Sequence, residues 1–565
     1  MLGRGARYLA HECAIRPTRR GGVVSRAMGW LGRAHIPPYP RAMTEHEWWR
    51  GAVVYQIYPR SFADSDGDGI GDLPGITAHL DYVAALGVDA VWLSPFFTSP
   101  MKDFGYDVSD YRDVDPIFGA LADFDALIAR AHALGLKVII DQVYSHSSDQ
   151  HAWFVESRAS RDNPRADWYV WADPKPDGSP PNNWQSVFGG PAWQWDGRRR
   201  QYYLHNFLVE QPDLNFHNPE VLAASLETAR FWLDRGVDGF RLDAINFAVH
   251  DAALRDNPPA PDRGRPRTRS SDFQLPTYTR NQPELPAFFE QLRALLDGYG
   301  EKFTVAEVVG RSPEREMHEY TAPGRLSSAY GFNFLYADAL TPSLVQAAMA
   351  KWPEDEGGWP SWAFENHDAP RAVSRWVGPE HRAGFARVKM LLLLCLRGNP
   401  FLYQGEELGL TQVEIGFDDL QDPEAIATWP LTLGRDGART PMPWVAGSHA
   451  AGFTTGKPWL PLGPDHPAMA VDRQEGDAES MLELTRRLIA LRKATPELVT
   501  GSMTVTHAEE ALLVFERDGL ICAFNLRAEA VDWSGAGEVL VAVGGASAQA
   551  LPGYSGLVLR PSQAH

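Results

Sequence analysis

The chain has 565 residues, of which 44% are hydrophobic and 22% charged, and its formal net charge is −19 at pH 7. This acidic balance argues against nucleic acid as a partner, because phosphate binding requires a basic surface. No run of about 18 apolar residues could span a bilayer, so we expect a soluble globular protein without a membrane partner. Its cysteines are Cys13, Cys395 and Cys522, too few for a disulfide framework, which favours a reducing, cytoplasmic compartment.

Residues 1–43 differ from the rest in composition, because they contain eight arginines and one acidic residue, Glu12. No apolar segment follows the basic residues, so they do not form a convincing secretory signal. Internal methionines at Met28 and Met43 favour a start assigned too far upstream. A functional or disordered basic extension is the alternative.

An acidic loop follows the first predicted strand, Val53–Tyr58. Its carboxylates are closely spaced and belong to Asp64, Asp66, Asp68 and Asp72. Glycines between them permit the tight bend of a Ca²⁺-binding loop, although Gly75 stands where an EF-hand requires a bidentate glutamate. The loop therefore predicts a structural metal site rather than a calcium switch, with a solvated acidic turn as the alternative.

Eight short runs rich in β-forming residues alternate with helical patterns, which indicates parallel βα units. The runs are Val53–Tyr58, Val91–Leu93, Val138–Asp141, Gly239–Asp243, Phe303–Glu307, Tyr330–Leu335, Trp362–Asn366 and Phe401–Gln404. In the helical pattern Pro219–Arg235, apolar residues recur at three- and four-residue spacing, and Gly236 supplies the stop. Eight such units predict an α/β protein with a (β/α)8 TIM barrel.

Two segments depart from this pattern. Residues 146–218 show little periodicity and are too long for a βα loop, so we expect an inserted subdomain B after the third strand. Residues 500–565 contain alternating strands, which predict a C-terminal antiparallel β-sandwich. These strands are Leu512–Phe515, Leu520–Asn525, Val539–Val543 and Gly556–Leu559. The barrel would then comprise residues 44–145 and 219–499.

Charged residues gather where the predicted strands end. Asp141 closes the third run, Asp243 the fourth and Glu307 the fifth, and His367 and Asp368 follow the seventh. Active sites of such barrels lie at the C-terminal ends of the strands, so these side chains predict a catalytic centre. A structural layer of ion pairs is the alternative.

Arg241 and Asp243 lie two positions apart on one strand, so their side chains point to the same face. A carboxylate beside a fixed cation is expected to stay ionised, with its pKa lowered by roughly 1–3 units. Asp243 is therefore a candidate nucleophile.

These motifs resemble those of the α-amylase family of glycoside hydrolases, and the resemblance extends from Trp48 to the end of the chain. The matching segments are Asp141–His146, Gly239–Asp243, Ala306-Glu307 and Glu365–Asp368. Three further segments resemble signatures of the oligo-1,6-glucosidase and α-glucosidase branch, namely Gln211–Asn215, Gln404–Glu407 and Arg439–Met442.

The resemblance implies a retaining mechanism without an organic cofactor. Asp243 would be the nucleophile, Glu307 the general acid/base, and Asp368 the carboxylate that binds the 2- and 3-hydroxyls of glucose. A retaining glycosidase needs one ionised and one protonated carboxyl group about 5–5.5 Å apart. We expect Arg241 to lower the pKa of Asp243 and the apolar run Phe303–Val308 to raise that of Glu307.

The family pattern also implies substrate-binding residues, which are Tyr106, Asp107, His146, Phe188, Arg241, Ala244, His367 and Arg439. Asp107 and Arg439, with Tyr106, would clasp the non-reducing glucose and impose exo action. Ala244 follows the nucleophile at a position where isomaltose-preferring relatives usually carry valine, which favours maltose-type α-1,4 substrates. Ser145 replaces an asparagine that helps α-amylases bind calcium, so that second metal site is not expected.

We therefore expect an exo-acting α-glucosidase, monomeric or homodimeric, that cleaves small maltose-like oligosaccharides. Related glucosidases bind one structural Ca²⁺ or Mg²⁺ in the acidic loop, through Asp64, Asp66, Asp68, the Ile70 carbonyl and Asp72. Alternatives on the same scaffold are an oligo-1,6-glucosidase, a trehalose-forming or sucrose-isomerising enzyme, and a transglucosylase. A non-catalytic transporter-associated relative, or a carbohydrate-binding or calcium-regulated module, would not need the strand-end acids.

Overall fold

The computed structural model describes residues 47–262, 267, 269–308, 313–352, 358–431 and 434–562. The basic extension predicted over residues 1–43 lies outside the described residues.

Eight parallel strands form the central barrel. They are β1 (Val54–Ile57), β2 (Ala90–Leu93), β3 (Lys137–Val143), β4 (Gly239–Asp243), β5 (Phe303–Val308), β6 (Ser328–Gly331), β7 (Ser361–Ala363) and β8 (Asn399–Tyr403). Their hydrogen-bonded order is β6, β5, β4, β3, β2, β1, β8, β7. A parallel bridge between Ala329 and Pro360 brings β6 beside the start of β7, so the strands close into a ring.

Two strands differ from their predicted positions. Ser328–Gly331 replaces the predicted run Tyr330–Leu335, and Ser361–Ala363 is shorter than the predicted Trp362–Asn366. Beyond Gly331 the chain turns away from the sheet, yet Leu335 remains buried. The predicted strand was too long because apolar residues that follow it are buried too, although they lie outside the sheet.

Helices cover the outside of the ring and the loops above it. Their bounds are Leu73–Ala78, Leu80–Ala85, Leu121–Ala133, Ala152–Ala159, Pro219–Asp234, Leu285–Asp297, Pro313–Tyr320, Pro342–Met349, Ala372–Trp376, Arg382–Cys395, Pro423–Thr428, Val471–Gln474, Met481–Ala494 and Pro496–Val499. Pro219–Asp234 illustrates the local rules, because the Asn218 side chain caps its first turn and Gly236, at φ +94°, permits the chain to leave it.

Alternation along the strands divides the core into two layers. Val54, Trp92 and Ile139 belong to a cluster inside the barrel, whereas their neighbours Tyr55 and Val91 pack with the surrounding helices. This period of two explains why the barrel strands read as continuous apolar runs, since both faces are buried.

An insertion separates β3 from the helix Pro219–Asp234. It contains the helix Ala152–Ala159 and a three-stranded antiparallel sheet, whose strands are Trp171–Ala172, Gln201–Leu204 and Trp193–Asp196 in that spatial order. A separate core with stacked Trp184 and Trp193 rings supports this sheet.

The C-terminal part is an antiparallel sheet of β9 (Thr504–Glu509), β10 (Leu512–Arg517), β11 (Leu520–Asn525), β12 (Gly537–Val543) and β13 (Ser555–Pro561), in the order β9, β10, β11, β13, β12. One face contributes Phe515 and Phe524 to the main core, and the other packs against Val531, Trp533 and Leu551. The fold class predicted from the sequence is confirmed.

None of the helices in the described ranges combines the length and the apolar character that crossing a membrane would require.

Candidate active site

A cavity of about 710 Å³ lies at the C-terminal ends of the barrel strands. Seven of the predicted site residues line it, namely Asp243, Glu307, Asp368, Tyr106, His146, Phe188 and Ala244. Asp243 is the last residue of β4, Glu307 is the fifth of six residues in β5, and Asp368 follows β7. The three carboxylates therefore meet because their strands end at one rim.

Arg241 connects the acids from beneath the cavity floor, where its side chain is fully buried. Its Nη1 donates to Asp141 Oδ1 at 2.7 Å and to Asp243 Oδ1 at 2.5 Å, and its Nη2 lies 2.7 Å from Glu307 Oε1. The Tyr330 hydroxyl donates to the same Glu307 oxygen at 3.2 Å. One guanidinium thus holds the two carboxylates of β4 and β5 side by side.

The pKa of Asp243 is raised to about 7, opposite to the direction expected from Arg241 alone. Burial is the main cause; Arg241 lowers the pKa, but the nearby charges of Asp141 and Asp368 raise it again. Burial also raises the pKa of Glu307 to about 7, with a further rise from Asp243. Because one cation is divided among three acids, the pair Asp243 and Glu307 retains a proton near neutral pH.

Asp368 has the opposite environment. Burial alone would raise its pKa, but the guanidinium groups of Arg439 and Arg435 hold it well below its usual range. Arg439 Nη2 donates to Asp368 Oδ1 at 2.7 Å. Asp368 is therefore an ionised hydrogen-bond acceptor on the cavity wall.

His367 lies behind the wall, between the rings of Tyr58 and Tyr106. The Tyr106 hydroxyl lies 2.5 Å from His367 Nε2, and Gln56 Nε2 donates to Nδ1 at 2.8 Å. Burial lowers the pKa of His367 to about 3, so the ring is neutral. His367 orients Tyr106 and Asp368. Its Nε2 lies 3.3 Å from Asp368 Oδ2.

His146 and Phe188 form the wall on the side of the inserted subdomain. His146 Nδ1 contacts Ser145 Oγ at 2.9 Å, Gln211 Nε2 lies 3.1 Å from its Nε2, and burial lowers its pKa to about 3. Phe207, which the sequence did not single out, packs between the His146 and Phe188 rings.

Asp107 and Arg439, which were predicted to clasp the non-reducing glucose, do not line the cavity. Asp107 is fully buried away from the cavity, and its carboxylate accepts hydrogen bonds from Ser99 Oγ and the amides of Lys102 and Asp103. Arg439 is also fully buried and donates to His367 O and Asp368. Both residues support the wall from behind.

Asp103 and Arg435 form an acid–arginine pair that lines the cavity, and we call this pair the clasp. Arg435 Nη2 donates to Asp103 Oδ1 at 2.7 Å and to Asp422 Oδ1 at 2.9 Å, and its guanidinium lies over the Phe188 ring. Asp103 stands four residues before the predicted Asp107, and Arg435 stands four residues before the predicted Arg439. The segments were recognised, but which member of each faces the cavity depends on how two distant loops meet.

Ala244 occupies a special backbone position directly after Asp243. Its φ of 40° and ψ of 33° are left-handed, and its amide donates to Glu307 Oε2 at 3.2 Å. Only small side chains tolerate this conformation well, and a β-branched one is strained. The turn fixes the spacing between the ends of β4 and β5.

The connection after β4 also forms part of the cavity wall. Asn257, Ala260 and Leu275 from this connection line the cavity, and so do Phe332 and Tyr336, which follow β6. Arg267 and Arg269 of the same connection also line the cavity, whereas residues 263–266 and 268 lie outside the described residues.

The acidic loop lies apart from the cavity residues. Carboxylate oxygens of Asp64, Asp66 and Asp72 all lie within 4.8 Å of one another. Burial would raise the pKa of Asp64, but bonds from Thr454 and from backbone amides lower it. Three converging hard oxygen donors fit a Ca²⁺ or Mg²⁺ ion, and Asp68, whose Oδ1 accepts from the Ile70 amide at 2.7 Å, is not among these three.

Comparison with known proteins identifies the class of this barrel and site. Residues 56–501 match the family model described as alpha amylase, catalytic domain. The chain belongs to the α-amylase family and is a glycoside hydrolase.

Its relatives place it within the α-glucosidase and oligo-1,6-glucosidase branch. A probable alpha-glucosidase of Rhizobium meliloti (strain 1021) is 53% identical over 502 residues, covering 86% of this chain and 90% of the relative. An oligo-1,6-glucosidase of Heyndrickxia coagulans is 39% identical, covering 86% and 93%. The crystal structure of an alpha-glucosyl transfer enzyme, XgtA, superposes with a TM-score of 0.87 at 53% identity, covering 91% and 99%.

Proposed function

We propose that this protein is a retaining, exo-acting α-glucosidase that releases α-glucose from the non-reducing end of maltose-type substrates. One observation carries the proposal: Arg241 holds Asp243 and Glu307 on adjacent nitrogens, at 2.5 and 2.7 Å, on the floor of a cavity. Closely spaced carboxyl groups that share a proton are what retention requires.

Asp243 would attack the anomeric carbon while the glycosidic bond breaks and Glu307 gives its proton to the departing oxygen. Water or a sugar hydroxyl would then attack the glucosyl ester, with Glu307 taking the proton and Asp243 leaving as a carboxylate. Asp368 would bind the glucose hydroxyls, and Tyr106, His146 and Phe188 would surround the ring.

Exo action is supported by the pair Asp103 and Arg435. It closes the cavity beside Asp368, whose Oδ1 lies 3.6 Å from Arg435 Nη1. A glucose bound by Asp368 would have Asp103 and Arg435 against its non-reducing end. These two side chains would leave no room for a preceding sugar. Arg241, His367, Asp107 and Arg439 would act by positioning these groups.

Linkage preference for α-1,4 bonds is supported by Ala244, whose small side chain lines the cavity beside both catalytic carboxylates. The kcat/KM for maltose should exceed that for isomaltose, and Ala244→Val should move the ratio towards isomaltose. Faster cleavage of isomaltose by the unaltered protein would make an oligo-1,6-glucosidase the better description. Chromatography at high maltose concentration would separate hydrolysis from transfer or isomerisation.

We also propose one structural Ca²⁺ or Mg²⁺ in the acidic loop, held by Asp64, Asp66, Asp68, the Ile70 carbonyl and Asp72. The converging oxygens of Asp64, Asp66 and Asp72 support it. Such an ion would neutralise the loop's charge and stabilise its bend, with no part in the reaction.

The test of the catalytic proposal is Asp243→Asn, which should lower cleavage of p-nitrophenyl α-glucoside by more than about 10³-fold. Asp256→Asn is the matched control, because Asp256 is an exposed aspartate of the same connection and does not line the cavity. Equal circular dichroism spectra would establish that both fold. Substantial activity in Asp243→Asn would refute its role as nucleophile.

A further inference from the structure

Arg269 and Glu424, which both line the cavity, form an ion pair. Arg269 belongs to the connection after β4, and Glu424 to the helix Pro423–Thr428 after β8. In the ring order, β4 and β8 are separated by four steps in either direction, so they stand on opposite sides of the barrel. The ion pair therefore joins two segments of the cavity wall that start from opposite sides of the barrel.

The inserted subdomain contributes a third support at the same point. The Gly190 amide donates to Ser270 Oγ at 3.0 Å, which ties the residue next to Arg269 to the loop that carries Phe188. Three separate extensions of the barrel therefore meet at the wall of the cavity. We call the pair Arg269 and Glu424 the latch.

The two sides of the latch differ in burial. The Glu424 side chain is 6% exposed and the Arg269 side chain 36% exposed. The Glu424 amide donates to Asp422 Oδ1 at 3.1 Å, and Asp422 in turn binds Arg435 of the clasp. Glu424 is thus fixed to the cavity wall, and Arg269 is the partner that solvent and salt can reach.

We propose that the latch decides whether water or a sugar hydroxyl attacks the glucosyl-enzyme, an inference that rests on the function proposed above. Either acceptor gives its proton to Glu307, its oxygen bonds to the anomeric carbon, and the ester bond to Asp243 breaks. A closed latch restricts bulk water and confines a bound sugar beside the ester, which favours transfer. An open latch favours hydrolysis.

The experiment uses maltose as both donor and acceptor and measures trisaccharide formed per glucose released at early times. Arg269→Gln and Glu424→Gln should each lower this ratio by about two- to fivefold, the range that partly exposed ion pairs supply. Rising NaCl should lower the ratio of the unaltered protein towards that of the variants, whose own ratio should stay constant.

Arg255→Gln is the matched control, because Arg255 lies in the same connection, pairs with Asp251 at 2.6 Å and does not line the cavity. Its ratio should equal that of the unaltered protein. An unchanged or higher ratio in both latch variants, with melting temperatures near that of the unaltered protein, would overturn the latch proposal. Failure of the unaltered protein to cleave maltose would instead count against the proposed function.

Discussion

Arg241 shows how one residue sets the chemistry of its neighbours. The sequence predicted an ion pair of Arg241 with Asp243, but the Arg241 guanidinium also binds Asp141 and Glu307. Each acid therefore receives only part of the cation's stabilisation while it is buried and repelled by the others. The resulting rise in both pKa values keeps a proton available to an acid catalyst near neutral pH.

This arrangement predicts the pH dependence of kcat/KM. Activity requires one proton on the pair Asp243 and Glu307, both of which have a pKa of about 7. The rate should fall below neutrality as Asp243 gains a proton and above it as Glu307 loses one, so we expect a maximum near pH 7. Asp141→Asn removes a negative charge that raises the pKa of Asp243, which should move the acidic limb to lower pH by roughly one unit. A shift to higher pH would contradict this account.

The clasp shows which part of a site the sequence can predict. Strand ends are readable because apolar runs stop at Asp141, Asp243 and Glu307. The pair Asp103 and Arg435 is separated by 332 residues, and the choice between Asp103 and Asp107 depends on how two loops meet. No periodicity in either loop carries that information.

Two matched substitutions distinguish these aspartates. Asp103→Asn should lower kcat/KM for p-nitrophenyl α-glucoside by about 10- to 100-fold, because a charged hydrogen bond contributes about 1.5–3 kcal/mol. Asp107→Asn should act mainly on stability, by about 1–3 kcal/mol, because a buried acceptor of three hydrogen bonds is altered. Kinetics and urea unfolding measure the two effects. A larger kinetic effect at Asp107 would restore the clasp expected from the sequence.

At the scale of elements, the acidic loop is fixed by its contacts as well as by its charges. The Asp64 amide donates to Phe453 O at 3.0 Å, and the Trp459 amide donates to Gly69 O at 3.0 Å. A Cβ at Gly69 would lie 1.9 Å from Lys457 O, and its φ is +96°, so glycine is required there. The loop thus joins β1 to the segment around residues 453–459.

Removal of a bound ion should therefore destabilise both the loop and its contacts with the segment around residues 453–459. With the metal at about 100 times its Kd, binding contributes about 2.7 kcal/mol, so excess chelator should lower the melting temperature by a few degrees. Added Ca²⁺ or Mg²⁺ should reverse the change. Asp66→Asn should reduce the response to chelator, since Asp66 is exposed and contributes to the converging oxygens. An equal melting temperature with and without chelator, and no copurifying ion, would remove the metal from the proposal.

Element bounds also show what the sequence can and cannot define. The alternation of eight βα units predicted the barrel because each unit has its own local signal. The sequence did not predict where β6 and β7 end. Leu335 and Phe364 lie beyond these strands but are buried by packing, so they look like strand residues. Burial produces the same apolar signal in a turn as in a strand.

At the scale of the whole molecule, a buried arginine, Arg517, joins the C-terminal sheet to the barrel. Arg517 of β10 is fully buried and donates to the carbonyls of Gly501 and Ser502 at 3.0 Å. It also donates to Cys395 O, at the end of the helix Arg382–Cys395. Arg492 donates to Leu394 O at 2.6 Å in the same helix end. Cations at a helix C-terminus satisfy its free carbonyls and complement its dipole.

Arg517→Met should therefore lower the free energy of unfolding by about 3–5 kcal/mol, because two buried carbonyls and one partly buried carbonyl lose their donor at about 1–3 kcal/mol each, with partial relaxation. Arg560→Met is the matched control on the same sheet. Arg560 is 49% exposed and lies 3.6 Å from Glu497, so its loss should change stability by less than about 1 kcal/mol. Urea unfolding followed by circular dichroism measures both, and kcat/KM should stay near that of the unaltered protein because neither arginine lines the cavity. Equal unfolding midpoints for the two variants would show that the sheet and the barrel are held together by apolar packing, with Arg517 contributing little.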